Sequence, residues 1–228
     1  KLWHRLITWF QNGIDIIRTI SSALSDVPDA WEWSITRFDA EDRLYPPQKG
    51  TIVFTGSSSI TFWDTLEQDM APLPVINRGF GGSKIQQVAH YVDRIVIPYR
   101  PVAVVLFAGT NDIAGAKSKT AQEVFEGFQA FVQAVHASLP KTPIYYIAIT
   151  PTPSRWKVWP IAQEANRLIQ TFVETNPCLH FIELTEQFLT PDGLPDRNLY
   201  RIDQLHPNKQ GYQKWVEIIK PVLQKDFH

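Results

Sequence analysis

Two spacings of apolar residues alternate along this chain. Short, nearly unbroken apolar runs occur at residues 51–55 (TIVFT), 75–77 (VIN), 102–107 (VAVVLF), 144–149 (IYYIAI) and 180–183 (HFIE). They are rich in β-branched and aromatic residues, and they read as strands of a parallel sheet covered on both faces. Between them the apolar residues return every three or four positions. From 121 to 139 they stand at 124, 125, 128, 131, 132, 135 and 139, and residues 161–174 and 210–223 behave similarly. That spacing builds helices with one buried stripe. Strand and helix in regular alternation predict an α/β fold of three layers, α/β/α, flavodoxin-like, around a five-stranded parallel sheet. Such sheets bind ligands beyond the carboxyl ends of their strands. Functional residues are therefore expected just after strands.

Before the first strand the pattern changes. The stretch from Leu2 to Ile20 is apolar at 3, 6, 7, 10, 14, 17 and 20, which is helical spacing. A second helical piece follows over residues 31–43, and Pro46-Pro47 breaks it. Residues 1–46 are thus expected to form an N-terminal helical extension packed on the domain or on a partner chain, with residues 47–228 as the domain itself. Trp3, Trp9 and Phe10 mixed with Arg5 and Arg18 would also suit a helix lying on a membrane surface. Covering a core is the commoner fate of an amphipathic helix and is the preferred reading. An oligomer contact is compatible with either.

Composition narrows the classes. An apolar fraction of 44% with 20% charged residues is ordinary for a globular chain and argues against disorder. The formal net charge is −1 and there is no run of Lys and Arg, so a nucleic-acid partner is not expected. No apolar run is long enough to span a bilayer. The chain starts at Lys1, so an upstream signal or anchor stays open and the compartment is either the cytoplasm or outside it. A single cysteine, Cys178, excludes an internal disulfide and a Cys-rich metal site.

Four short segments after expected strands carry the candidate chemistry. Gly56-Ser57-Ser58-Ser59 follows the first strand, and a serine there serves equally as a helix cap or an exposed hydroxyl. Asn77-Arg78-Gly79-Phe80-Gly81-Gly82 has the glycines of a tight turn or of a close backbone approach, but not the pattern of a phosphate loop. Gly109-Thr110-Asn111-Asp112 follows the strongest strand, where Asn111 could close an Asx turn or aim its amide at a developing oxyanion. Asp203-Gln204-Leu205-His206 sets an acid three residues before a histidine, placed either to orient the imidazole or, with Pro207, to open the last helix.

Taken in order, the four segments resemble the blocks of the SGNH hydrolases, also called the GDSL esterase/lipase family. The resemblance runs from about Pro47 to the C-terminus. One position departs from it: the Asp of the family's Gly-Asp-Ser is Ser57 here. Alignment on Gly56 makes Ser58 the match for the nucleophile, with Ser57 and Ser59 beside it. The resemblance implies that Ser58 attacks, that His206 is the base and that Asp203 orients it. It further implies an oxyanion hole made of the Ser58 and Gly82 backbone N–H groups and the Asn111 amide. No metal and no cofactor are implied.

The expected function is hydrolysis of short-chain acyl esters, acetyl esters among them, through an acyl-enzyme. Carbohydrate acetylesterase, thioesterase and lysophospholipase activities are the alternatives within the family. The substrate is then a small-molecule or sugar ester. Trp156 and Trp159, after the fourth strand, and Phe80, in the glycine block, are the candidate substrate-binding aromatics. From outside the class, a catalytically silent ligand-binding α/β module or a flavin or nucleotide binder would share the architecture, and the missing phosphate loop weighs against the last.

Overall fold

A computed structural model describes residues 28–115 and 117–227, and the amphipathic stretch from Leu2 to Ile20 lies outside them. A 3-10 turn, Pro28–Trp31, leads into helix α1, Glu32–Leu44. Strand β1, Ile52–Gly56, is followed by two short helices, α2, Ser58–Thr61, and α3, Leu66–Met70. Strand β2, Val75–Gly79, precedes α4, Ile85–His90, and α5, Val92–Ile95. Then come β3, Ala103–Phe107, α6, Ala121–Ser138, and β4, Ile144–Ile147. The chain closes with α7, Trp159–Glu174, β5, Leu179–Ile182, and α8, Lys209–Asp226. The five strands form one parallel sheet in the order β2-β1-β3-β4-β5. The expected α/β architecture is therefore the one observed.

Two cores form because strand side chains point alternately to opposite faces. Val53, Val104 and Leu106 face a core shared with α1, α4, α5, α6 and α7. Ile52, Phe54, Val105 and Phe107 face a second core built on α2, α3 and α8, where Trp63 and Trp215 meet edge to face. The near-continuous apolar runs of the sequence follow from this double burial. Helix α1 packs into the first core through Trp31, Ile35 and Phe38. It is also tied to β2 by polar bonds. Asp42 accepts from the Arg78 guanidinium and from the Tyr99 hydroxyl, while Arg78 Nε donates to the Tyr99 oxygen at 2.7 Å.

Two element ends depart from the sequence reading, each for a local reason. The run at 144–149 stops being a strand at Ile147. Asn166 of α7 takes over both backbone groups of Ile149, accepting its N–H at 2.9 Å and donating to its carbonyl at 3.0 Å. Helix α8 is opened neither by Asp203 nor by Pro207. Its cap is Asn208, whose side-chain oxygen accepts from the N–H groups of Gln210 and Gly211. His206 therefore sits in the loop before the helix.

The sheet edge is closed by contact between backbones. Gly56 pairs with Gly79 of β2 and with Phe107 of β3, so three strand ends lie level. Gly56 has φ +131°, and a Cβ there would lie 2.0 Å from the Phe107 carbonyl oxygen. Only glycine fits. Gly56→Ala should destabilise the protein by about 3 kcal/mol or more, given both the clash and the backbone strain. Urea unfolding checks this, and an unshifted midpoint would contradict the packing.

Candidate active site

The turn after β1 delivers three serines to the sheet edge, and their surroundings separate them. The Ser57 N–H donates to Phe107 O at 3.0 Å, which pins the turn to β3. The Ser57 hydroxyl is buried and has no hydrogen-bond partner among the described residues. The Ser59 carbonyl accepts from the Tyr212 hydroxyl at 2.8 Å. Ser58 is the serine whose Oγ meets an imidazole, at 2.8 Å from His206 Nε2 across 148 positions of sequence.

His206 is held from its other side. Its Nδ1 lies 2.6 Å from Asp203 Oδ2. A carboxylate only accepts, so Nδ1 carries the hydrogen and Nε2 presents its lone pair to the serine hydroxyl. The other Asp203 oxygen accepts the N–H groups of Leu205 and His206, at 2.9 and 3.0 Å. Burial works against the charge on Asp203, but the imidazole and these two N–H groups outweigh it and hold the carboxyl below its usual range. For His206, burial dominates and lowers the imidazole below its ordinary value. The Asp203 contact opposes that shift, and the charges of Arg201 and Arg155 add to it. Phe62 sets its ring edgewise against the imidazole, with centroids 5.0 Å apart, and the Arg201 guanidinium lies over the same ring.

On the facing side, Asn111 lies in the loop after β3. Its Nδ2 donates to Ser83 O at 3.0 Å, which fastens it to the turn containing Gly82. Gly82 has φ +80° in that turn. Asn111 Oδ1 accepts from Arg155 Nη2 at 2.9 Å. Arg155 Nη1 donates to Thr110 O at 2.5 Å and to Thr110 Oγ1 at 2.9 Å. Burial brings the Arg155 guanidinium down to about 10, so it stays charged at neutral pH.

Ser58, Asn111, Arg155 and His206 share a small pocket with Thr110, Thr150 and Thr152. Its cavity volume is about 10 Å³, room for roughly one water molecule. Thr152 Oγ1 is buried there with no partner among the described residues. No three His, Cys, Asp or Glu side chains among the described residues converge in a way that could hold a metal ion.

The aromatic side chains expected to bind substrate do not line this pocket. Phe80 is 1% exposed and packs against Trp31 and Tyr91 in the first core. Trp159 is 7% exposed in the same core, and the half-buried Trp156 stacks on it at 6.1 Å. The core needs those large apolar faces more than the polar mouth does. Conversely, the segment after β4 does line the pocket, but through Thr150, Thr152 and Arg155, to which the sequence alone assigns no role. Their position just after β4 was the available signal.

The profile of the GDSL-like Lipase/Acylhydrolase family matches residues 45–214. Platelet-activating factor acetylhydrolase IB subunit alpha1 of Rattus norvegicus is 28% identical over 186 residues, which is 77% of this chain and 75% of that protein. A GDSL-like lipase from Bacteroides thetaiotaomicron superposes with a TM-score of 0.71 at 20% identity, covering 85% of this chain and 98% of the other. An acetyl xylan esterase superposes with a TM-score of 0.64 at 20% identity, covering 75% and 98%. At such identities the two structures speak for the shared fold. The profile covers well over half of the sequence and takes in both the serine turn and the Asp203–His206 loop, and on that ground the chain belongs to the GDSL-like lipase/acylhydrolase family, the SGNH hydrolases.

Proposed function

We propose that this protein hydrolyses carboxylic esters of small acyl groups, acetyl above all, with Ser58 as nucleophile. The observation that carries this is the chain of contacts Ser58 Oγ to His206 Nε2 to His206 Nδ1 to Asp203, at 2.8 and 2.6 Å, opening on a small pocket. A serine hydroxyl is a weak nucleophile until a base removes its proton. His206 takes that proton as Oγ bonds to the ester carbon, and Asp203 stabilises the imidazolium that results. The carbonyl oxygen gains the negative charge. The backbone N–H groups of Ser58 and Gly82 and the second Nδ2–H of Asn111 are the donors assigned to it. When the C–O bond breaks, His206 returns its proton to the leaving alkoxide. Water then repeats the sequence on the acyl-serine, releasing the acid and restoring Ser58.

Pocket size supports the short acyl group. A long alkyl chain would need a cavity many times larger, and the Thr110, Thr150 and Thr152 hydroxyls offer it a poor lining. The rat relative is by name an acetylhydrolase. The name fits a small acyl pocket, while the alcohol half of the substrate stays open to sugar, lipid or small-molecule esters.

A p-nitrophenyl ester series from acetate to palmitate, run with wild type and Ser58→Ala, tests the reading. Acetate should turn over fastest, and Ser58→Ala should lose about 10⁴-fold or more in kcat. Palmitate cleaved as fast as acetate would refute the small pocket, and an active Ser58→Ala would remove Ser58 as nucleophile.

Asn111→Ala should lower kcat by roughly 10²–10³ while the melting curve stays near that of wild type. Unchanged turnover would take Asn111 out of the oxyanion hole.

The pH profile has a defined sign. The neutral imidazole is the active base, and burial lowers its pKa, so the active form persists into mild acid. The acid limb of kcat/KM should have its midpoint below the ordinary histidine value of about 6.5, with activity falling as pH drops through it. A midpoint above that value would contradict the burial of His206.

A further inference from the structure

Arg155 is the charged side chain in the pocket that the hydrolytic relay does not use. It comes from the 3-10 turn Pro153–Val158 after β4. Two backbone bonds fix that turn, Arg155 N to Thr152 O at 3.1 Å and Ser154 N to Gln204 O at 3.0 Å. The second ties it to the loop that carries Asp203 and His206. The guanidinium is partly buried and donates to the loop after β3: Nη1 to both Thr110 oxygens and Nη2 to Asn111 Oδ1. No carboxylate hydrogen-bonds to it among the described residues.

The amide of Asn111 can be turned over about its last bond, exchanging oxygen and nitrogen with almost no change in shape. Its two neighbours prevent that. Ser83 O can only accept, so it demands Nδ2. Arg155 can only donate, so it demands Oδ1. With the amide so fixed, one Nδ2 hydrogen is used on Ser83 O and the other faces away from that bond. If Arg155 were absent, Oδ1 would lose its donor, and the Thr110 carbonyl at the base of the same loop would lose its cross-link as well.

We propose that Arg155 is a positioning residue, which locks the Asn111 amide and the loop beneath it so that the second Nδ2–H meets the oxyanion. This rests on the ester-hydrolase reading of the site. The guanidinium acts through Asn111 and does not itself touch the reacting atoms. Oxyanion stabilisation depends on donors that are already aimed when the charge forms, and a displacement of about 1 Å can cost on the order of 100-fold in rate. The loss should appear in kcat, because the bond to the oxyanion strengthens only in the transition state.

The test is a double-mutant cycle with p-nitrophenyl acetate. Arg155→Met and Arg155→Lys are each measured alone and together with Asn111→Ala, and Ser58→Ala serves as control. Lysine keeps the charge but cannot fork between Thr110 and Asn111, and it covers the case in which the methionine variant fails to fold. Each single Arg155 variant should lose about 10–100-fold in kcat with KM within about twofold of wild type. In the Asn111→Ala background either substitution should cost almost nothing more, because the group it positions is gone. Losses that multiply in the double variants would overturn the proposal and assign Arg155 a direct contact with substrate. Wild-type kcat in both single variants, or a change in KM alone, would overturn it too. Turnover retained by Ser58→Ala would remove Ser58 as nucleophile, and with it the serine site on which the role of Arg155 rests. With Ser58→Ala inactive, failure of the cycle counts against Arg155 alone.

Discussion

Five strands that all run the same way must all end on the same edge of their sheet, and this constraint places everything else in the molecule. Each strand end opens into a loop on that edge, and each loop contributes one part of the site. Ser58 follows β1, Gly82 follows β2, Asn111 follows β3, Arg155 follows β4, and Asp203 and His206 lie in the long connection after β5. The chain order reverses between β1 and β3, the crevice position at which open α/β sheets bind their ligands. Ser58, the proposed nucleophile, and the proposed oxyanion amide stand on either side of that crevice. The hydrophobic burial of the strands on both faces keeps them parallel and level, so core packing and site geometry are one problem.

Within the site, held groups and reactive groups are distinct. The dipeptide Asn111-Asp112 shows how. Asp112 is fully buried, bonded to Lys119 Nζ at 3.0 Å and to the N–H of Ile85 at 3.0 Å. Asn111 bonds to Ser83 O. Neighbouring side chains of one loop therefore grip the segment after β2 at two points, on either side of Lys84. The turn with Gly82 is fixed from outside and needs no strong interaction of its own. The loop of His206 is held the same way: an isolated bridge pairs Tyr200 with Pro207, and the Tyr200 hydroxyl donates to Pro151 O beside the Arg155 turn. Preorganisation here comes from loops bonded to each other, with the sheet as their common base.

Much of this was legible in the sequence because the signals are local. Apolar spacing marks the strands and long helices, and Gly, Ser, Asn and Asp after each strand mark turns that must bend sharply and carry polar groups. The rest depended on contacts between distant residues. Arg155 meets Asn111 over 44 positions, and its place after β4 puts it near the site without fixing where the guanidinium turns. Phe80 and Trp159 had the right chemistry for a sugar or acyl site, but an aromatic ring suits a core as well, and only burial separates the two. Pro46-Pro47 marks the end of the N-terminal extension, and the Asp42–Arg78–Tyr99 bonds across it hold α1 against the domain, in the first core. The fifth loop was recognisable by its Asp-x-x-His, while its helix cap, Asn208, was hidden behind two better-looking candidates.

Ser57 shows what the altered family block costs and spares. An acid at this position would stand where the Ser57 side chain is fully buried, its hydroxyl without a partner among the described residues. A charge placed there would need a partner to offset its desolvation, and the neutral hydroxyl does not carry that requirement. The geometry of the turn does not rest on the side chain at 57. It rests on the positive φ of Gly56, on the Ser57 N–H bonded to Phe107 O, and on the Ser57 carbonyl accepting the N–H groups of Ile60 and Thr61. All of these are backbone features that survive the exchange of Asp for Ser. Ser58 is therefore presented to His206 by the fold of the main chain, which is why the relay is complete although the block that announces it is not.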